Sequence, residues 1–597
     1  MNTALSGIML LSIATSMAIA QPGKEKGSIP PNYGYYRLNP EYKPDAVLGW
    51  AEQRVEEKLG RGMVAVSMGE GKVYLGWRLL KADPAGIAFN VYRSTAGGAA
   101  AKLNREPVSK TTDFVDANAP LDRENAWWVR PVLNGREQEP SGRAVLEANA
   151  PVRQYLSIKI RDDIPTASIH KVGIGDLDGD GEYDFVVKRP GGPVDPGTIR
   201  RSPDTFKVEG YKRDGTFLWR NDLGWSIELG IWYSPMVVWD LNGDGKAEVA
   251  LKTGEGDPRA ENGQVLTGPE YVSVWNGETG REIARADWIP RGKPSDWGDY
   301  SGNRMSRHMM GIAYLDGKTP SLLVLRGIYG LMKMDAWLLR ANALEKAWAW
   351  SNLTSGWKYQ GQGQHSIHVA DIDDDGRDEI LNGSIAIDHD GRIMWSTGLG
   401  HGDRFYVTDV DPDRPGLEVF YIVEDPHPQY GVSLWDARTG DLIWGLREET
   451  ADNQIARGLC ADIDPGSPGM ECWADKYFFS SKGKSLGAPV PPQDGLVWWD
   501  ADPLRELQTR GTVSKWRGPT LTSGIEGPVM VWADILGDWR EEILTYRQGE
   551  LRIYTTVIPA ADRRVCLMQD PIYRRDVALK SMGYDHVPMT SYYLGVR

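Results

Sequence analysis

From about residue 60 onward the chain is written in short apolar–polar alternations separated by turn residues. The first block reads "GMVAVSM", "KVYLGWRLL", "IAFNVYRS", "TDFVD" and "AWWVRPV", with Gly, Asp-Pro and Asn-Gly in the turns between them. A period of two bounded by such turns predicts strands, because successive side chains of a strand face opposite ways. Seven or so strands in roughly a hundred residues, with Trp77 early and Tyr92 later, predict a small β-sandwich over residues 51–150. The preceding residues 21–50 are rich in Pro, Gly and Tyr and read as a linker.

After "PVRQYLSIKI" the pattern becomes a repeat: apolar strand, acidic loop, apolar strand, then a phrase of the type x-D-G-x-x-x-W. The acidic loops begin at Asp176, Asp240 and Asp371, with weaker versions at Asp409, Asp462 and Asp534. They recur about every 40–70 residues, and one gap of about two units holds the degenerate copy "GIAYLDGKTPSLLVLRG". Repeats of that length made of short strands predict an all-β, eight-bladed β-propeller over residues 151–597, its last blade closed by joining the two ends of the segment. The sandwich ahead of it resembles a fibronectin type III module, which by itself implies no chemistry.

The loops have a definite ligand chemistry. "DLDGDGEYD" offers oxygens from Asp176, Asp178, Asp180 and Asp184, and its glycines allow the tight reversal that turns them inward. Asp240, Asn242, Asp244 and Glu248 repeat the pattern, as do Asp371, Asp373, Asp375 and Glu379. Asp409, Asp411 and Glu418, and Asp462, Asp464 and Glu471, form the Pro-interrupted copies. All-oxygen sets of this kind predict several Ca²⁺ sites. Because the loops recur in each unit they are expected to rivet strands, and catalysis to fall on residues that do not recur. His365, His401 and Arg457 are such residues, each just upstream of an acidic strand, where a propeller gathers side chains at one end of its channel.

Composition narrows the partners. A net charge of −14 over 597 residues argues against nucleic acid and anionic membranes. The first twenty residues, "MNTALSGIMLLSIATSMAIA", read as a secretory signal ending in a small-x-small site, too short to span a bilayer. The expected protein is therefore secreted, monomeric and not inserted in a membrane. Three cysteines are too few for a disulfide framework; Cys460 and Cys472 flank one acidic turn, where a bridge and two buried thiols are both open. The 24 tryptophans serve equally as core filler and as sugar-stacking faces, Trp225, Trp232 and Trp297 being the candidate platforms.

Taken together, "GDLDGDGEYDFVVK", "WGDYSGNR", "GQGQHSIHVADIDDDGRDEI", "IDHDGRIMWSTGLGHGD", "RGLCADIDPGSPGMECWA" and "ADILGDWREEI" resemble the secreted rhamnogalacturonan lyases of polysaccharide lyase family 11. The resemblance spans about Tyr155 to Gly595. It implies an eight-bladed, calcium-containing propeller that cuts the rhamnose–galacturonate backbone of pectin by β-elimination. His365, His401 and Arg457 match the family's polar positions: the histidines as metal-shell or acid–base groups, Arg457 as carboxylate ligand or participant in proton transfer. Three places depart from the family: "KRPGGPVDP" around Arg189, "LGIWYSP" with Trp232 where the family has His, and "TSGIEGPVMVW" with Glu526 where it has Lys. These departures, with Tyr233 and Arg304, mark the expected substrate floor. They leave open an enzyme for another acidic polysaccharide, or a propeller that only binds glycan. Arg189, Arg200, Arg201, Arg304 and Arg307 are the cations available to an acidic substrate.

Overall fold

The computed structural model describes residues 54–595 apart from 165, 167, 193–200, 356–358, 451–454 and 456. The expected signal and linker, and Arg200, lie outside the described residues. Two sheets form the N-terminal unit. One joins Val64–Gly69, Lys72–Gly76 and Asp113–Asp116; the other is built around Ala88–Thr95 and Asn125–Leu133. Between them Trp77 meets Phe89 edge-on at 5.4 Å, and Val73, Leu75, Val91, Trp127 and Val129 complete the core.

Eight antiparallel sheets follow among the described residues. Their first strands are Lys171–Gly175, Met236–Trp239, His308–Ala313, His368–Ala370, Phe405–Thr408, Gly458–Ala461, Gly495–Val497 and Val529–Ala533. Most neighbouring first strands pack on one another, and the last packs back on the first. The eighth sheet takes its fourth strand, Tyr155–Lys159, from the beginning of the region, paired with Glu550–Tyr554.

Burial explains the composition of the strands. In the third sheet the first two, "HMMGIA" and "SLLVLR", are buried throughout, whereas the fourth, "ALEKAWAWS", is mostly exposed. Inner strands covered on both faces therefore read as continuous apolar runs, and rim strands carry the charge. The degenerate copy forms the first two strands of this sheet. Lacking its own acidic cluster, it borrows a carboxylate, since the Tyr314 N–H donates to Asp378 Oδ2 at 2.6 Å. One sheet escaped the sequence reading: Gly495–Val497 leads into a further acidic loop, Asp500, Asp502 and Glu506.

The C-terminal segment fills the middle. The helix Pro571–Ala578, capped by the Asp570 carboxylate at the Ile572 and Tyr573 N–H groups, packs on first strands of five sheets. Its arginines tie the ring: Arg575 bonds to Asp378 and to the Val369 carbonyl, and Arg574 to Glu57 and the Val238 carbonyl. Cys460 and Cys472 face each other across adjacent strands as buried free thiols.

Candidate active site and metal loops

The first strands run parallel around the ring, as the Gln364–Gly402 bridge between the fourth and fifth sheets records. Residues before each strand thus collect at one end and residues after it at the other. Every acidic loop lies at the second end, and His365, His401 and Arg457 lie at the first. The strands between are three to six residues long, so the two ends are separated by about 10–20 Å at 3.3 Å per residue.

At the first end the aromatic rings form one cluster. His365 and His401 stand with ring centroids 4.9 Å apart, and Tyr329 packs on His401 at 4.5 Å. The Tyr329 hydroxyl lies 3.3 Å from His365 Nε2. Asp403 Oδ1 is 3.3 Å from the same nitrogen, and Glu424 Oε2 is 3.4 Å from His401 Nε2. His365, His401 and Asp403 stand close enough to ligate a single ion. Two guanidiniums border the group: Arg304 lies 5.2 Å from the Tyr329 ring, and Arg307 lies 5.3 Å from Trp232 and 5.7 Å from Tyr329.

The backbone makes this convergence possible. A Cβ at Gly402 would fall 1.9 Å from the Ile422 carbonyl oxygen, so only glycine lets "HGD" lie against the next strand with both His401 and Asp403 at the site. Gly583 (φ 59°) lets the C-terminal segment pass beneath Trp232 and present Tyr584 to His365, the rings 4.9 Å apart.

Electrostatics decide what these groups can hold. Burial, together with His401, Arg307 and His586, pushes His365 well below the usual histidine range, so its imidazole is neutral. His401 Nδ1 lies 2.5 Å from the Gly363 carbonyl oxygen, so Nδ1 carries a proton and Nε2 faces the Glu424 carboxylate. Across that 3.4 Å gap a proton or a cation would join the ring nitrogen to the carboxylate. This donor set fits a divalent cation.

The remaining expected site residues are distributed as follows. Arg457 is exposed at the start of the sixth sheet, 3.8 Å from Asp494. Arg189, expected on the substrate floor, is fully buried; its guanidinium pairs with Glu209 at 3.2 Å and donates to the Arg161 carbonyl. Glu209 stands on the adjacent strand near Arg189, which is why this cation can be withdrawn from water. Trp232 is also fully buried, packed on His365 at 4.8 Å, and Trp297 is 2% exposed, so neither is a stacking platform. Tyr233 is buried beside Glu228. Glu526 is exposed and bonds to Arg552 at 2.7 Å. Sequence reasoning missed Tyr329, Asp403, Glu424 and Tyr584. Only Asp403 carried a local signal, two residues after His401.

The acidic loops fold as their spacing requires. Asp176 accepts the N–H groups of Gly179 at 2.7 Å and Gly181 at 2.8 Å, and Asp240 repeats this with Gly243 and Gly245. The closing carboxylates reach back to the loop entrance: Asp184 to Leu177 N, Glu248 to Leu241 N, Glu379 to Ile372 N, Glu418 to Val410 N and Glu471 to Ile463 N. Asp371, Asp373 and Glu379 converge, as do Asp176, Asp178 and Asp184. Burial and neighbouring carboxylates push Glu379 up to about 11 and Glu248 to about 8. Glu379 Oε1 and Glu471 Oε1 are buried without a hydrogen-bond partner among the described residues. Oxygens crowded in this way fit hard cations. Lysines stand at three of the loops, the first among them: Lys212 pairs with Asp178 and Asp180, Lys482 with Asp411 and Asp413, and Lys515 with Asp500 and Asp502. Asp409 and Asp462 bond instead to Tyr593, through its N–H and its hydroxyl.

Fold and site define an all-β protein whose repeated carboxylate loops and unrepeated histidine cluster occupy opposite ends of one ring of sheets. Comparison with known proteins supplies the family. Residues 163–597 match the C-terminal domain of rhamnogalacturonan lyase family 11, and residues 54–146 match the β-sheet domain of rhamnogalacturonan I lyases. The chain is 41% identical to the rhamnogalacturonan endolyase YesW of Bacillus subtilis (strain 168), covering 91% of this chain and 92% of that one. It is 38% identical to the rhamnogalacturonan exolyase YesX of the same organism, covering 91% and 96%. The crystal structure of YesW superposes with a TM-score of 0.83 at 40% identity, covering 91% of this chain and 97% of that one. The chain belongs to rhamnogalacturonan lyase family 11.

Proposed function

We propose that this chain is a secreted, calcium-containing lyase that cleaves the rhamnose–uronate backbone of rhamnogalacturonan by β-elimination. In this reading its eight sheets are the blades of a propeller, and the N-terminal unit is a fibronectin type III-like module. The observation that carries the reading is the meeting of two imidazoles, two carboxylates and two guanidiniums at the end of the ring opposite the acidic loops. The substrate follows from the relatives' names at about 40% identity, and secretion from the N-terminal apolar run.

Elimination across C4–C5 of a uronate has three requirements. The carboxylate must be neutralised, the C5 proton removed, and the departing O4 given a proton. Arg304, with Arg307 behind it, supplies positive charge for the carboxylate. The Tyr329 hydroxyl, 3.3 Å from His365 Nε2 and flanked by both guanidiniums, meets the other two: it gives its proton to the departing O4 while its oxygen takes the proton from C5. The C5–H and C4–O4 bonds break, O4 leaves with a proton, and a C4=C5 double bond remains. A divalent cation held by His365, His401, Asp403 and Glu424 would add Lewis acidity at the uronate carboxylate. The acidic loops would hold calcium as ties between strand ends.

The test is to incubate the protein with rhamnogalacturonan and with polygalacturonate and to follow the ultraviolet absorbance of the unsaturated product. Absorbance should rise on rhamnogalacturonan, and His401→Ala should lower the rate at least ~10²-fold with an unchanged circular dichroism spectrum. No rise, together with retardation in a rhamnogalacturonan affinity gel, would establish a glycan-binding protein instead of a lyase.

A further inference from the structure

The loop "WGDYSGNRM", Trp297 to Met305, carries the most exposed large apolar or aromatic side chain among the described residues: Tyr300 is 92% exposed. The loop beneath it is firmly held. Trp297 is buried against Met305 and Leu331, and its indole N–H donates to the Arg291 carbonyl at 2.6 Å. The Asp299 carboxylate accepts the N–H groups of Gly302 at 2.9 Å and Arg304 at 2.7 Å, and Gln264 Nε2 donates to the Ser301 carbonyl at 2.7 Å. Gly298 (φ 88°) and Gly302 (φ 83°) take the left-handed turns on either side. A pinned loop that holds a phenol ring in water forgoes the ~1.5–3 kcal/mol that burying a large apolar side chain gives.

The loop ends at the histidine site. Arg304, four residues after Tyr300, is half-buried over the Tyr329 ring and makes no ion pair with a carboxylate among the described residues. A half-buried cation without an acidic partner, in a chain of net charge −14, is a ready ligand for an anion. A pyranose offers the complementary surface. One face is a patch of C–H groups that lies flat on an aromatic ring, while its hydroxyls reach solvent. Trp232 and Trp297 are buried, and half-buried Trp225 is covered by the Arg259 guanidinium at 3.7 Å, so of these four rings Tyr300 is the open one, four residues from Arg304.

We propose that this loop forms an outlying sugar subsite, in which Tyr300 stacks on a pyranose of the polysaccharide while Arg304 pairs with the carboxylate of a uronate further in. The proposal rests on the reading that the chain acts on an acidic glycan. It makes Tyr300 a residue that sets affinity for long chains and takes no part in bond breaking.

The experiment compares wild type, Tyr300→Ala and Tyr300→Trp on rhamnogalacturonan polymer and on its shortest cleavable oligosaccharide. Polymer affinity is measured separately by gel retardation. Tyr300→Ala should raise KM for the polymer about five- to tenfold, leave kcat unchanged and leave the short substrate unaffected. Tyr300→Trp should restore the wild-type KM. An unchanged KM, or an equal loss on both substrates, would overturn the proposal. If wild type forms no unsaturated product, the lyase reading fails by itself. Retardation then still decides the subsite: a weaker Tyr300→Ala complex supports it, and equal retardation overturns it.

Discussion

The central helix runs into Leu579–Ser581, where Lys580 is fully buried and its ammonium has no hydrogen-bond partner among the described residues. Burial holds its pKa down to about 7 against an ordinary 10.5, with Lys171 and Arg404 acting in the same direction and Asp576 and Asp585 opposing. The two carboxylates are already engaged, Asp576 with His368 at 2.9 Å and Asp585 with Lys171 at 2.5 Å. His586 faces the same space, a cavity shared with His365, Ser366 and His368. Between pH 7 and 10.5 the unfolded chain binds a proton that the folded chain lacks, so this lysine makes stability rise with pH across that window. Below pH 7 the penalty is constant. At 1.36 kcal/mol per unit the depression corresponds to about 5 kcal/mol. Lys580→Met, which keeps the stem and removes the charge, should recover part of it, ~1–4 kcal/mol. Scanning calorimetry at pH 6.5 and at pH 10 would then find the variant melting a few degrees above wild type at the lower pH, with the gap closing at the higher. A gap of constant size, or a variant less stable at pH 6.5, would refute the picture of an unpaired buried ammonium.

Three further outcomes are expected. Tyr329→Phe keeps the ring on His401 but removes the hydroxyl, so kcat should fall ~10²–10⁴-fold with KM little changed, as read by product absorbance. Glu379→Gln should reduce the calcium-dependent gain in melting temperature, because it removes one closing carboxylate from the Asp371 loop; an equal gain in both proteins would exclude a cation there. Reducing agent should leave the melting temperature unchanged, since Cys460, Cys472 and Cys566 are buried free thiols.

What could be read from the sequence was what is local in the chain. The Asp-x-Asp-Gly spacing dictates its own turn, so loops such as Asp176–Asp184 were legible residue by residue. The loop at Asp500 was hidden because "DADPLRE" lacks the paired glycines, although Glu506 closes it on the Trp499 N–H just as Glu248 closes its own on Leu241. His365 and His401 were legible because they hold equivalent places in successive units. Their partners were not: Tyr329 comes from the preceding sheet, Glu424 from the end of a second strand, and Tyr584 from the C-terminal segment beyond the helix. Burial misled the reading at Arg189 and Trp232. A cation and an indole look available for sugar until the fold sets Glu209 beside one and His365 above the other.

The division between the two ends of the ring follows from the same geometry. A repeat that places its carboxylates after the first strand can reuse one solution for joining strands in seven of the eight sheets, and every copy stays on the same side. The residues before each strand are freed from that task. They can differ from unit to unit: Trp232 before the second, Arg307 before the third, His365 before the fourth, His401 before the fifth and Arg457 before the sixth. Cations held by the loops, about 10–20 Å away through protein, would act on this site weakly beside groups that touch the substrate. A metal that matters for chemistry must therefore be sought among His365, His401, Asp403 and Glu424. The test is graded chelation, which should separate a loss of rate from a loss of stability when the two classes of site differ in affinity.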